Sequence, residues 1–254
     1  MYNFYIALEW GIYMENIVKF LKNEFCGWKK WEIFWILFCN LIILGVSIYL
    51  KDTAVGIIAS MTGVTCVILT GMGKISNYLF GVVNILLYAY VAWNAKYYGD
   101  VMLNLLYYFP TNIIGWFVWK KNIDEESNEI YKRKMNVKQE ILVAVLSIVG
   151  IFIYGYILKW LGGNLPIIDS MSTVLSVVAQ ILLIKRYMEQ WIIWLVVDMV
   201  SVIMWIAAFF NGGESIAVLM MWMVYLANAV IMFIKWFKDI RLSNNEFGGK
   251  EKVL

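Results

Sequence analysis

Residues Ile141 to Leu161 read ILVAVLSIVGIFIYGYILKWL, an apolar run whose one charge, Lys159, falls near its end. A helix needs about 20 apolar residues to cross the roughly 30 Å of bilayer hydrocarbon, and this stretch meets the requirement by itself. Working outward, seven more stretches of similar length are bounded by charge or turn residues: 31–50, 53–73, 76–95, 101–119, 166–184, 191–210 and 215–234. The expected fold class is therefore an all-α membrane protein with eight transmembrane helices. Composition agrees, since 62% of the 254 residues are hydrophobic and 15% charged, against roughly a half and a quarter in soluble domains.

The chain has no histidine. That excludes a Ser-His-Asp triad, a Cys-His pair and His-ligated zinc or haem, so no catalytic residue, metal or cofactor is expected and the protein is not read as an enzyme. Cys26, Cys39 and Cys66 form no C-x-x-C and read as free thiols in apolar surroundings. The GMGK and NGGE stretches at 71–74 and 211–214 are turns, because neither fits the phosphate-binding pattern G-x-x-x-x-G-K-[ST]. A net charge of +3 gives no reason to expect a nucleic-acid partner; the partners expected are the lipid bilayer and a small-molecule substrate.

Loops rich in Lys and Arg stay cytoplasmic. With both termini inside, 18 of the 21 basic residues fall on that side, and Lys51, Lys96 and Lys159 fall outside. The expected location is thus a multi-pass position in the cytoplasmic membrane with both termini cytoplasmic. Residues 1–30 place Lys19, Lys22, Lys29 and Lys30 among apolar residues and read as an interfacial amphipathic segment. The 31–50 stretch ends in Tyr49, Leu50 and Lys51, without a small-residue cleavage site, so it reads as a retained accessory helix and not a secretory signal.

An internal comparison at an offset of 114 residues sets Asn77-x-x-Phe80-x-x-x-Asn84 on Trp191-x-x-Trp194-x-x-x-Asp198, and Gly99-Asp100 on Gly213-Glu214. The chain then divides into a first three-helix repeat at 53–122, a cytoplasmic loop at 123–140, a connector helix at 141–161, a second repeat at 166–238 and a tail at 239–254. One connector gives both triplets the same direction through the membrane. Parallel repeats of this kind are a transporter plan with the substrate site at their interface.

Polar groups inside hydrocarbon are costly, and they point to a cavity or a facing helix. Asp198 lies about 10 Å inside its segment at 1.5 Å per residue, with Trp194 and Trp191 at i−4 and i−7 on the same helical face. Two indoles and a carboxylate suit a flat cationic ligand, by stacking, cation–π attraction and charge. A Trp near a membrane end is also a common interfacial anchor, and proton coupling is the other role open to Asp198. Asn77, Phe80 and Asn84 form the corresponding face of the third segment. Gln180, Asn104 and Asn228 lie inside the sixth, fourth and eighth; each amide alone reads as interhelical glue, and together they read as a lining for a hydroxylated ligand. Tyr107, Tyr108, Trp116, Trp119, Trp222 and Tyr225 divide between belt and lining, with Tyr225 counted among the candidate contacts. Asp169 fits a helix-start carboxylate.

The run Glu189-Gln190-Trp191-Ile192-Ile193-Trp194-Leu195-Val196-Val197-Asp198, with Tyr98-Gly99-Asp100 and Gly115-Trp116-Phe117-Val118-Trp119-Lys120-Lys121-Asn122, resembles the bacterial nicotinamide riboside transporters of the PnuC family. The resemblance spans about Thr53 to Lys238. It implies two three-helix repeats joined by one helix (3+1+3), similar to full-length SWEET sugar transporters, often trimeric, with the first helix accessory. It also implies facilitated diffusion of nicotinamide riboside, trapped afterwards by cytoplasmic phosphorylation. Trp191, Trp194 and Asp198 would then contact the ligand, with Gln180 and the third-helix amides as partners. Thiamine or riboflavin transport, and a proton-coupled carrier of the same fold, remain open alternatives; an intramembrane enzyme or receptor scaffold fits less well.

Overall fold

The computed structural model describes residues 27–96, 98–124, 127–160, 166–210 and 216–246, together with 14, 15, 18, 22 and 24. Most of the expected amphipathic segment at 1–30, Cys26, the NGGE turn, the Asp169 side chain and the end of the tail lie outside the described residues. The described chain forms α1 (Lys30–Tyr49), α2 (Ala54–Met72), α3 (Asn77–Asn94), α4, α5 (Val137–Trp160), α6 (Pro166–Ile184), α7 (Gln190–Phe210) and α8 (Ile216–Glu246). Helix α4 has three consecutive parts: Tyr98–Met102, a π-helical stretch Leu103–Tyr108, and Phe109–Lys120.

Each expected segment thus coincides with a helix. By length and apolarity, α1, α2, α4, α5 and α8 suffice to cross a membrane, while α6 and α7 hold shorter apolar stretches, Ser170–Ile184 and Gln190–Ile206. The remaining helix, α3, is 18 residues long and carries Asn77, Asn84 and Asn94. Two boundaries differ from expectation for local reasons. Helix α5 begins four residues early because Asn136 and Gln139 cap each other: Asn136 Oδ1 accepts from the Gln139 N–H at 2.9 Å and Gln139 Oε1 from the Asn136 N–H at 3.0 Å. Helix α8 runs well past Ile234, since Lys235 and Asp239 pair across one helical turn.

Helix α2 packs on α3, and α6 on α7; α3 touches α4, and α7 touches α8. Across the middle, α2 meets α8 and α4 meets α6. The α2–α8 contact is close because α2 presents glycine: a Cβ at Gly71 would strike Met232. Small residues are what allow membrane helices to approach this closely. Helix α5 packs on α6, and α1 on α2 and α8. The outer face of α5 is apolar and exposed, including Leu142, Leu146, Ile153 and Tyr156.

The turns entering α3 and α7 have the same hydrogen bonding. Gly73 is left-handed (φ 74°), with Lys74 N–H donating to Leu69 O; Arg186 is left-handed (φ 64°), with Tyr187 N–H donating to Leu182 O. This is a Schellman ending in both places. The turns recur at a spacing of 113 residues, so the 114-residue register is off by one: Tyr78, not Asn77, stands where Trp191 stands. Side-chain packing agrees. Tyr78 meets Trp119 edge-on at 5.1 Å, and Trp191 meets Trp236 edge-on at 5.8 Å. The partner indoles then cross over, Trp119 Nε1 donating to Leu183 O at 3.2 Å and Trp236 Nε1 to Gly71 O at 2.8 Å.

The loop between α4 and α5 ties both turns together. Ile130 N–H donates to Gly73 O, Arg133 N–H to Arg186 O, and Met188 N–H to Arg133 O. The buried Lys74 ammonium donates to Ser127 O at 3.3 Å and Asn128 O at 3.2 Å. Beside them, Lys132 pairs with Glu129 (2.7 Å) and Asp239 (2.6 Å), while Lys235 pairs with Glu129 (3.3 Å), Asp239 (3.3 Å) and Glu32 of α1 (3.6 Å). Burial by itself would raise the Glu129 carboxyl, but the two ammonium groups outweigh it and hold the group below its ordinary range.

Candidate functional site

A cavity of about 160 Å³ lies among α2, α3, α4, α6, α7 and α8, more than ten times the roughly 10–15 Å³ that one water needs. Of the ten candidate contacts, nine line it: Asn77, Asn84, Asn104, Gln180, Trp191, Trp194, Asp198, Tyr225 and Asn228. Phe80 does not. It is 39% exposed, and with about 100° per residue it falls about 70° from the centre of the α3 stripe formed by Asn77, Gly81, Asn84 and Tyr88. At the 113-residue spacing of the two turns, Gly81, not Phe80, stands opposite Trp194 in sequence.

Asp198 is 3% exposed, and no ion pair holds it among the described residues. Along α7 it stands about 12 Å from the helix start at Gln190. Tyr108 and Tyr225 lie within its electrostatic reach. Among the described residues, no lysine or arginine lines the cavity. A buried carboxylate without a cationic partner is costly unless a ligand or a proton compensates it.

The two indoles differ. Trp191 is buried at 3% exposure and wedged edge-on against Trp236, and its Nε1 has no hydrogen-bond partner among the described residues. Trp194 is only partly buried and faces Tyr108, ring centres 6.4 Å apart and tilted by 45°. Trp194 is therefore the ring free to stack on a ligand, and Trp191 is fixed by packing with one donor left over. Neither is surrounded in the way of a simple interfacial anchor.

The amides divide as well. Asn228 Nδ2 donates to Val67 O of α2 at 3.2 Å, and its Oδ1 accepts from Trp35 Nε1 of α1 at 3.2 Å. Asn84 Nδ2 donates to Ala59 O at 2.9 Å. Asn77 Nδ2 bonds Lys74 O at 2.6 Å and closes the turn before α3, and Asn104 Nδ2 bonds Asp100 O at 2.8 Å. Each holds helix geometry through an Nδ2 donor; Asn228 also has its Oδ1 engaged by Trp35. Gln180, 7% exposed, completes the lining from α6.

Beyond the candidate contacts, Tyr108 and Trp222, which the sequence leaves between belt and lining, line the cavity, as do Asp100, quoted in the sequence only within its Gly-Asp pair, and Tyr88 and Asn112, which the sequence does not single out. Four of the α4 lining positions, 100, 104, 108 and 112, are spaced by four. In an α-helix that spacing drifts by about 40° per step, which hides the common face. The π-helical stretch, with its slower winding over the step from 104 to 108, reduces the drift, and π stretches commonly mark functional sites. Of the three cysteines, Cys39 and Cys66 are free thiols, and Cys66 lines the cavity.

Residues 53–238 match the nicotinamide mononucleotide transporter family. The nicotinamide riboside transporter PnuC of Neisseria mucosa is 40% identical over 225 residues, covering 87% of this chain and 86% of that protein. The protein of the same name from Haemophilus influenzae is 31% identical over 227 residues, 88% of this chain and 97% of that one. A crystal structure of the vitamin B3 transporter PnuC superposes with a TM-score of 0.79 at 39% identity, covering 87% of this chain and 96% of that one.

Proposed function

The chain belongs to the PnuC family of membrane transporters, and from that premise we propose that it carries nicotinamide riboside across the cytoplasmic membrane. The observation that carries this reading is Asp198: a buried, unpaired carboxylate beside an accessible indole in a cavity without a single cationic side chain. Nicotinamide riboside joins a flat pyridinium cation to a polyol. The pyridinium stacks on Trp194 with Tyr108 beside it, Asp198 supplies the opposite charge, and Gln180, Asn84 and Tyr225 meet the ribose hydroxyls. Riboflavin, neutral in its ring system, would leave Asp198 uncompensated; thiamine, also cationic, is the nearer competitor.

The proposed architecture is two parallel three-helix repeats, α2–α4 (within 53–122) and α6–α8 (within 166–238), joined by α5 in a SWEET-like 3+1+3 order, with α1 added in front. The reciprocal Trp119–Leu183 and Trp236–Gly71 bonds support it, as does the matched packing of α2 on α8 and α4 on α6. We orient both termini to the cytoplasm because 18 of 21 basic residues then lie inside, and we assign three copies to the assembly, with the lipid bilayer covering the remaining apolar face.

Transport is facilitated diffusion, with phosphorylation in the cytoplasm preventing return. Asp198 also favours one second reading, proton coupling, since a proton is the other way to compensate that charge. Proteoliposomes distinguish the two. Uptake that follows the nicotinamide riboside gradient alone, unaffected by an imposed pH gradient or a protonophore, supports the uniporter; uptake that needs the pH gradient supports coupling.

A further inference from the structure

The cavity holds a second carboxylate. Asp100 lies in the first turn of α4, at the end opposite the loop that ties the two turns, and lines the same space as Asp198. The π-helical stretch brings it there as the first member of a column with Asn104, Tyr108 and Asn112. Its carboxylate is oriented from two other helices. Oδ2 accepts from the Tyr88 hydroxyl of α3 at 2.9 Å, and the Tyr88 oxygen accepts from Trp205 Nε1 of α7 at 3.3 Å. Tyr88 and Trp205 are both buried, at 4% and 3% exposure. Tyr108 lines the cavity with both acids and lies within electrostatic reach of each.

Two carboxylates in a cavity that no described lysine or arginine lines outnumber the single positive charge of a pyridinium, which can sit against only one at a time. We propose that Asp100 is the recognition carboxylate at the far end of the cavity. A cationic aromatic substrate entering from that end engages Asp100 first, passes along the α4 column by way of Tyr108, and settles between Trp194 and Asp198. The inference rests on the transporter reading and extends it: Asp100 selects for cations during entry, and Asp198 holds the bound state. A carboxylate that attracts the incoming cation acts chiefly on the association rate.

The test is stopped-flow tryptophan quenching of the purified full chain with two ligands, nicotinamide riboside and its reduced dihydropyridine form, which has the same ribose and no ring charge. In Asp100→Asn the association rate of the cation is expected to fall about tenfold, while that of the neutral form stays within twofold of the parent. Tyr88→Phe, which removes the hydrogen bond but not the charge, is expected to retain the parent's cation-to-neutral rate ratio. Equal losses for both ligands in Asp100→Asn, or a ratio lost in Tyr88→Phe as in Asp100→Asn, would overturn the proposal and leave Asp100 a structural partner of Tyr88. If the parent protein binds neither ligand, the transporter reading itself fails, which is a different outcome from a parent that binds both with an unchanged ratio in Asp100→Asn; the latter overturns only the role of Asp100.

Discussion

Trp194 and Trp191 share a helical face but not a task, and substitution separates them. Trp194→Ala removes a partly exposed stacking ring; base–aromatic stacking of about 1–3 kcal/mol predicts a roughly ten- to hundredfold weaker affinity for nicotinamide riboside by calorimetry, with little change in melting temperature. Trp191→Ala instead opens a hole beside Trp236 and lowers the melting temperature, since emptying a packed site of this size costs about 3–5 kcal/mol. At Asp198, replacement by Asn keeps shape and an acceptor while removing charge. Weaker binding of the pyridinium, with binding of the uncharged dihydro form retained, is the expected result; equal binding of both forms to parent and variant would show that Asp198 acts as a hydrogen-bond acceptor only.

Helix existence was legible from hydropathy, because a stretch of about 20 predominantly apolar residues bounded by charge marks a candidate span, although α3, α6 and α7 carry polar residues that shorten their apolar runs. Helix ends were less so: the Asn136 capping box and the Lys235–Asp239 pair extend α5 and α8 past the apolar limit. The site was legible where a polar side chain interrupts an α-helix of regular period, as at Asp198 and Gln180. On α4 it was legible at Asn104 but obscured elsewhere by the π-helical stretch, which changes the period, and Phe80, placed by a weak internal similarity, stands off the lining. The α2–α8 contact offers a test at this scale. A Cβ on Gly63 would collide with the Tyr225 hydroxyl and lie 2.6 Å from Asn84 Nδ2, whereas one on Gly45 of α1 meets nothing within 4 Å. Gly63→Ala should therefore displace two lining residues and weaken ligand binding at least several-fold, while Gly45→Ala should leave the affinity at the parent's value.

Across the whole molecule, the loop at 121–136 holds the turns of both halves, and its ion cluster joins the loop to α1 and α8. Removing one member of a buried ion pair costs about 3–5 kcal/mol. Glu129→Gln is accordingly expected to lower the melting temperature in detergent by an amount on the order of 5 °C or more. The cluster also gives stability a pH dependence. Because the folded Glu129 carboxyl lies below its ordinary value of 4.5, its contribution is fully present above that value and is lost as pH falls from there through the lower folded value. Melting curves of the parent between about pH 6 and about pH 3 should show this loss, and Glu129→Gln should show less of it. The central claim, a cavity built for a pyridinium nucleoside, is tested most directly by titrating the purified protein with nicotinamide riboside, thiamine and riboflavin while following tryptophan fluorescence. The account predicts micromolar or tighter quenching by nicotinamide riboside whose midpoint Trp194→Ala shifts to roughly ten- to hundredfold higher concentration; tighter binding of thiamine or riboflavin, or an unshifted midpoint in Trp194→Ala, would contradict it.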